Sequence, residues 1–514
     1  MSNTKHVRNV LLNKLGMIIQ IATAFVLTPL LIHFLGDEKY GIWVIIASLT
    51  GYLSLVDFGI SSSVIRFVSQ FSGDEVQQKD SLSPQALREK VQRILGSVSL
   101  ILIVISLVLI VVAPIVGSHL LGYFVEDSDT LALLRTLLFV ICIDVAVFVF
   151  NNTFRAALEG RSRFDLTAML VIVSVVGKAL GMYLVLSIGY GLTAMVLVSL
   201  STNIALAFGA IALLKKNYPE LTFNPLLANK HDAGEVFLYG RATFLAMLAN
   251  QVIYYTDTFI VAFFLGPTIV AYYAIPWSLM EYTRQLFFQA SRSFVPSFSK
   301  DSSRNQNISD LYIQSTRWLL LVSNLICIGL MVFGTDFIRI WINDTYAEQA
   351  KWLIIIFFLG QLIQTPQLLS YSLLQGLSKH KQFAKTSLYV AAANLALSLV
   401  LVQFYGVEGV AIGAAIPQAI FYLFIVPRFA LQAINESGQR YIREALLPAV
   451  GPALVLLAVA LFLKTHFSPD GFFALIGLAA LCTLSYLIAI WAIALSQPEK
   501  QKVVQLIRTR LLPG

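Results

Sequence analysis

The sequence predicts an all-α integral membrane fold of about fourteen transmembrane helices, built as two pseudo-symmetric six-helix lobes plus two C-terminal helices. Composition is the first observation behind this. Of 514 residues 57% are hydrophobic and 12% charged, and mean hydropathy is +0.77. A soluble domain carries roughly 25% charged residues, so most of this surface faces lipid. In lipid every backbone N–H and C=O needs an internal partner, which leaves only helices and closed barrels as spanning structures. Run length is the second observation. The apolar runs reach the ~20 residues a helix needs and lack the period-2 alternation of barrel strands.

The expected spans are 10–35, 41–70, 92–117, 131–157, 164–187, 191–213, 237–265, 268–298, 312–335, 349–376, 383–404, 407–431, 445–464 and 471–495. Charge placement is the third observation and tests this map. With the N-terminus inside and the helices alternating, outside segments hold only Lys39, Arg135, Arg339, Lys351 and Lys464. Lys178 and Arg284 fall within spans, and every other Lys and Arg of the 36 falls inside. This is a strong positive-inside bias, and it implies an even number of spans with both ends cytoplasmic. It also accounts for the net charge of +8 without nucleic acid. The longest loops are the cytoplasmic stretches near 72–90, 214–235 and 432–444, and no extracytoplasmic domain is expected. Lys5, Arg8 and Lys14 flank the start of the first apolar stretch, which runs to Leu35. A signal-peptide core is only about 7–15 residues long, so an uncleaved first helix is expected.

The chain repeats itself. Leu158-Glu159-Gly160-Arg161-Ser162-Arg163-Phe164 parallels Leu374-Gln375-Gly376-Leu377-Ser378-Lys379 and the basic run to Phe383. Gly189-Tyr190-Gly191-Leu192-Thr193-Ala194 parallels Gly406-Val407-Glu408-Gly409-Val410-Ala411, and Leu35-Gly36 parallels Leu265-Gly266. Six helices therefore match six in the same orientation, as in transporters built from parallel repeats. The expected divisions are 1–232 for helices 1–6, 233–434 for helices 7–12, and 435–514 for helices 13–14 and a cytoplasmic tail. The few charges at membrane depth are expected where the two lobes meet.

A charge at mid-bilayer costs at least ~2.5–3.5 kcal/mol and demands a partner or a wet cavity. The candidates are Asp57, Asp144, Lys178, Asp257, Glu281 and Arg284, with Arg66 and Arg292 near inner helix ends. Glu281 and Arg284, three residues apart, either neutralise each other or line a cavity. Arg66 and Arg292 either snorkel to headgroups or bind substrate. Lys178 and Asp257 have no nearby residue of opposite sign in the chain; a cavity role and an interhelical ion pair both remain open. Asp57, in Leu55-Val56-Asp57-Phe58-Gly59, either braces a Gly-broken helix or takes part in coupling. Gln361, Gln364 and Gln367 form one hydrogen-bonding stripe, as interhelical glue or cavity lining.

Enzyme signals are absent. The six histidines show no metal-ligand spacing, and no phosphate loop or catalytic triad occurs. No cofactor or metal is expected. Cys142, Cys327 and Cys482 lie in apolar runs and read as small core hydrophobes. Gly189-Tyr190-Gly191 reads as a short turn, not an ion filter.

Four stretches carry a family resemblance: FVLTPLLIHFLG (25–36), YGIWVIIASLTGYLSLVDFGISSSVIRF (40–67), YYTDTFIVAFFLGPTIVAYYAIP (254–276) and LLQGLSKHKQF (373–383). They resemble the Wzx-type polysaccharide and O-antigen flippases of the multidrug/oligosaccharidyl-lipid/polysaccharide exporter superfamily. The resemblance implies a transporter opening alternately to either membrane face. Its substrate would be an undecaprenyl-diphosphate-linked oligosaccharide, moved from the cytoplasmic to the periplasmic leaflet of a bacterial inner membrane. Membrane lipids, and a polysaccharide polymerase with chain-length machinery, would be its partners. Lys178, Arg284, Arg66 and Arg292 are then candidate cations for the diphosphate. Asp57, Asp144, Asp257 and Glu281 are candidates for ion coupling or cavity lining. The alternatives are a multidrug or other small-molecule exporter, which favours an acidic aromatic cavity, and a membrane-embedded polymerase or glycosyltransferase, which usually needs an extracytoplasmic loop that this chain lacks.

Overall fold

Leu35-Gly36 and Leu265-Gly266 adopt one backbone conformation, and this sets how each half of the chain begins. Gly36 has φ 72 and ψ 171, and Gly266 has φ 86 and ψ 170. A side chain disfavours this region, so glycine supplies the break between two apolar helices. The computed structural model describes residues 3–70, 84–124, 128–303, 308–377, 379, 381–501 and 505. Among them there is no strand. Of the loop expected near 72–90, residues 72–83 lie outside the described residues, as do Arg304 and most of the tail, while residues 84–90 are helical and open the third helix.

Two compact units divide the chain, Met1–Gln251 and Val252–Gly514. In the first, α1 (Asn3–Leu53) is interrupted at Gly36, and α2 (Ile60–Gln70) follows a 3-10 turn at Ser54–Asp57. Then come α3 (Pro84–Phe124), α4 (Ser128–Gly160), α5 (Phe164–Ser187) and α6 (Leu192–Asn217). Helix α4 packs on α6, α3 and α2, while α1 packs on α5. Helix α7 (Lys230–Leu265) holds the boundary between the units. The second unit continues with α8 (Pro267–Arg292), α9 (Val295–Ser303), α10 (Ile308–Trp341) and α11 (Asp344–Gly376). It ends with α12 (Lys381–Ile420, interrupted at Gly406), α13 (Val426–Ala433), α14 (Gly438–Tyr441), α15 (Leu447–His466) and α16 (Phe472–Ala489). Three π-helical segments, Phe421–Ile425, Ile442–Leu446 and Ile490–Ala494, continue α12, α14 and α16.

Eleven helices among the described residues are long and apolar enough to cross a membrane. Two of these, Leu15–Asp57 and Thr386–Ala433, contain the non-helical glycines Gly36 and Gly406. Helix α8, which carries Glu281, Arg284 and several tyrosines, is not among the eleven. Dividing the first two and adding the last gives about fourteen crossings. The second expected span, 41–70, is not one helix: Phe58 (φ 47) and Gly59 (φ 75) break it.

The repeat is visible inside each unit as matching local geometry. Arg163 N–H donates to Leu158 O at 3.0 Å, and Lys379 N–H donates to Leu374 O at 2.8 Å. Gly160 lies so close to Ile65 and Val68 that a Cβ would collide with them, and Gly376 stands likewise against Val295 and Phe298. The last two helices lie outside this repeat and are tied to α10. Leu456 and Ala460 are fully buried there, Asn324 donates to Ala449 O at 3.1 Å, and Tyr486 OH donates to Leu321 O at 2.8 Å.

Candidate functional site

In the first unit, Asp144 sits mid-way along α4, which packs on α6, so its carboxylate meets residues more than fifty positions away. It is 5% exposed. Its Oδ1 accepts from the Asn203 amide at 2.7 Å, and its Oδ2 accepts from the Ser199 hydroxyl at 2.9 Å. Lys178, on α5, donates to the same Ser199 oxygen at 2.8 Å. Ser199 accepts a hydrogen bond from the ammonium and donates its own to the carboxylate, so the two charges are linked through one hydroxyl. The partner of Lys178 therefore comes from another helix, by way of a bridge and not a direct ion pair. Such mediated pairing offsets the cost of placing ionisable groups at membrane depth.

Helix α4 carries more polar groups on this side than the sequence reading assigned. Asp144, Asn151, Arg155 and Glu159 recur at steps of seven, four and four, which places them on one helical face. Both amide atoms of Asn151 and the Nε of Arg155 are buried and find no hydrogen-bond partner among the described residues. The charge map puts Arg155 at the inner end of its span, and the helical spacing puts it on the face of Asp144 as well.

Asp57 and Arg66 are placed separately. Asp57 is 6% exposed, and its carboxylate accepts from the Ser61 hydroxyl at 2.8 Å and the Ser61 N–H at 3.3 Å. It thereby caps the helix that restarts after the break at Phe58 and Gly59, because the first N–H groups of a helix lack backbone partners. Arg66 is exposed and lies over the Tyr239 ring at 4.5 Å.

In the second unit, α8 brings Glu281 and Arg284 together. The guanidinium donates through Nε and Nη2 to the two carboxylate oxygens, each at 2.6 Å. Gln285 adds a hydrogen bond to Glu281 at 3.0 Å. The same guanidinium lies 4.5 Å over the Tyr254 ring, which packs on Trp277. Gln364, from the expected glutamine stripe, donates to Tyr422 OH at 2.9 Å and to Tyr254 OH at 3.5 Å. The result is a half-buried cluster of one fixed ion pair, aromatic faces and an amide. Rings of this kind stack on sugars and cations alike, and a fixed guanidinium presents its remaining N–H groups to oxygen acceptors. Arg292 is exposed, beside Phe288, and stands apart from the cluster.

Asp257 is 1% exposed, on α7, and no basic side chain among the described residues bonds it. Tyr273 OH lies 3.4 Å from Oδ2 and Ser398 Oγ lies 3.4 Å from Oδ1. The Ser398 hydroxyl also faces Asn394 Oδ1 at 3.1 Å and Val410 O at 3.2 Å. Ser398 has one proton for three acceptors, so at least two of the oxygens receive nothing from it. The Asn394 Nδ2 is buried without a partner. This is an oxygen-rich pocket short of positive charge.

Among the described residues, eleven helices are long and apolar enough to span a membrane, and isolated polar clusters are buried between such helices. Residues 6–302 match the family model described as polysaccharide biosynthesis protein, and the chain belongs to that family. It is a multi-pass membrane transporter of the flippase kind and not an enzyme. A candidate O-antigen transporter of Shigella flexneri is 22% identical over 428 residues, covering 80% of this chain and 94% of that protein. Among solved structures, the inward closed conformation of the lipid II flippase MurJ superposes with TM-score 0.71 at 18% identity, over 95% of this chain and 98% of that one. An inward-facing MATE family multidrug resistance transporter superposes with TM-score 0.69 at 10% identity, over 84% of this chain and 99% of that one. These structures share the fold.

Proposed function

We propose that this protein moves an undecaprenyl-diphosphate-linked oligosaccharide, an O-antigen or other surface-polysaccharide repeat unit, from the cytoplasmic to the periplasmic leaflet by alternating access. The observation that carries this reading is the pair of cations held at membrane depth, Lys178 through Ser199 and Arg284 by Glu281 and Tyr254. A diphosphate cannot enter hydrocarbon unaided, and oriented ammonium and guanidinium donors recognise phosphate oxygens. Arg155, whose Nε has no hydrogen-bond partner among the described residues, adds a third candidate contact.

In this reading the functional divisions are 1–232, 233–434 and 435–514, and both termini lie in the cytoplasm of a bacterium whose inner membrane holds the protein. A polymerase and chain-length machinery receive the product. Deleting the protein should cause the lipid-linked repeat unit to accumulate in the inner leaflet. Normal surface glycan with no accumulation would reject the proposal. Lys178→Ala and Arg284→Ala should each reach the membrane yet lower complementation at least about tenfold, as expected for losing one charged hydrogen bond of ~1.5–3 kcal/mol. Full complementation by both would remove them from the site.

Coupling is assigned to the Asp257 pocket. A buried carboxylate without a counter-charge is costly, and a proton or a sodium ion relieves that cost among the oxygens of Asp257, Asn394, Ser398 and Val410. Asp257→Asn removes the charge while keeping the shape. Transport by this variant should lose its response to an imposed sodium or proton gradient in proteoliposomes. A response of wild-type size in the variant would place coupling elsewhere.

A further inference from the structure

An apolar cavity of about 730 Å³ opens on the second unit between α10, α11, the helix ending in α13 and the helix beginning with α14. Small-ligand sites span roughly 300–1,000 Å³. The floor is buried, with Leu431, Gln367 and Tyr441, the last two joined by a 3.2 Å hydrogen bond. The rim is exposed and apolar: Leu423, Phe424, Ile442 and Val450. Both π-helical segments that flank the cavity contribute to it, Phe421–Ile425 through Leu423 and Phe424, and Ile442–Leu446 through its two end residues. Single π turns inside α-helices concentrate at functional sites, and here two of them wall one cavity.

Charge is confined to one end, at Arg428 and Glu436. Glu436 is engaged by Arg440, which also pairs with Asp310 and Glu444. Arg428 is exposed and has no acidic partner among the described residues. The positive-inside map puts this end at the cytoplasmic headgroups. The cavity is therefore a greasy slot with a single unmatched guanidinium where a headgroup would sit.

We propose that this slot holds one acyl chain of an anionic bilayer phospholipid, with the phosphodiester on Arg428. Depth supports that occupant. From Gly438 to Val450 the wall runs roughly 18 Å at 1.5 Å per residue, close to half of a hydrocarbon core of ~30 Å. A chain confined to one leaflet fills it. Charge supports it as well. One guanidinium fork matches one phosphodiester, whereas a diphosphate brings additional negative charge towards Glu436. This lipid site requires nothing of the transported substrate.

The test is native mass spectrometry of the purified, delipidated protein with phosphatidylglycerol or phosphatidylcholine. Wild type should retain phosphatidylglycerol about tenfold more tightly, the size of one charged hydrogen bond. Arg428→Ala should reduce phosphatidylglycerol to the level of phosphatidylcholine, and Arg428→Lys should fall between. Ile442→Trp, which fills the slot, should weaken both lipids; Val450→Trp on the same rim replaces it if Ile442→Trp does not fold. Equal retention of the two lipids by wild type, or undiminished phosphatidylglycerol binding by Arg428→Ala, overturns the proposal. So does undecaprenyl phosphate displacing phosphatidylglycerol at equal concentration, since that result gives the slot to a polyprenyl chain.

Discussion

Asp144→Ala is expected to lower stability by about 2–4 kcal/mol, somewhat under the ~3–5 kcal/mol of breaking a fully buried pair, because Lys178 is only half-buried. The substitution strands three groups together: the Lys178 ammonium, the Ser199 hydroxyl and the Asn203 amide. Asp144→Asn keeps an acceptor for Ser199 and removes only the charge, so it should cost less. Adding Lys178→Met to Asp144→Asn should recover most of that smaller loss, because it removes the uncompensated cation. Thermal unfolding in detergent reads all of these. If Lys178→Met and Asp144→Asn prove additive within about 0.5 kcal/mol, the two charges are not coupled through Ser199.

The second large effect is expected where the turn before α2 touches α7 backbone to backbone. A Cβ on Gly59 would stand 2.6 Å from the carbonyl oxygen of Gly240, and a Cβ on Gly240 would stand 2.5 Å from that of Phe58. Neither obstacle is a side-chain end that can rotate away. Ser63 fixes the same approach by donating to Val236 O at 3.1 Å. Gly240 is inside a helix, where alanine is ordinarily favoured by about 1 kcal/mol. Gly240→Ala should instead destabilise by about 3 kcal/mol or more, in the range of a strong core disruption. Gly59→Ala should cost a further ~1–2 kcal/mol, because its φ of +75 disfavours any side chain. Folded yield by size-exclusion chromatography and the unfolding midpoint measure both. A stabilised Gly240→Ala protein would show that the two segments do not approach this closely.

Much of the fold was legible because lipid imposes a single solution on the backbone. Hydropathy and basic loops located the crossings, and even the polar α8 was recognisable between its neighbours by the alternation of charge. The break after Asp57 was only half legible. Phe58-Gly59 suggested a weak point, but a left-handed phenylalanine is not something a hydropathy profile reveals. The site was legible as a set of residues and not as a set of partnerships. Asp144 meets Ser199 and Asn203, and Asp257 meets Ser398, across 55 to 141 residues of chain. No periodicity reports contacts at that separation. Glu281 with Arg284 and Asp57 with Ser61, each one helical turn apart, had their pairing written locally. Arg155 was legible as a charge near the inner end of a span, and its place on the same helical face as Asp144 only from the spacing.

The Asp257 pocket also has an electrical consequence. Empty, it holds a net negative charge within the membrane; filled by a proton or a sodium ion, it is neutral. Moving one elementary charge across the full membrane potential involves about 2.3 kcal/mol per 100 mV. On the proposed coupling, filling the site removes one negative charge from the step it accompanies, while the diphosphate adds its own to the outward step. The voltage dependence of turnover should therefore differ between wild type and Asp257→Asn by about one elementary charge.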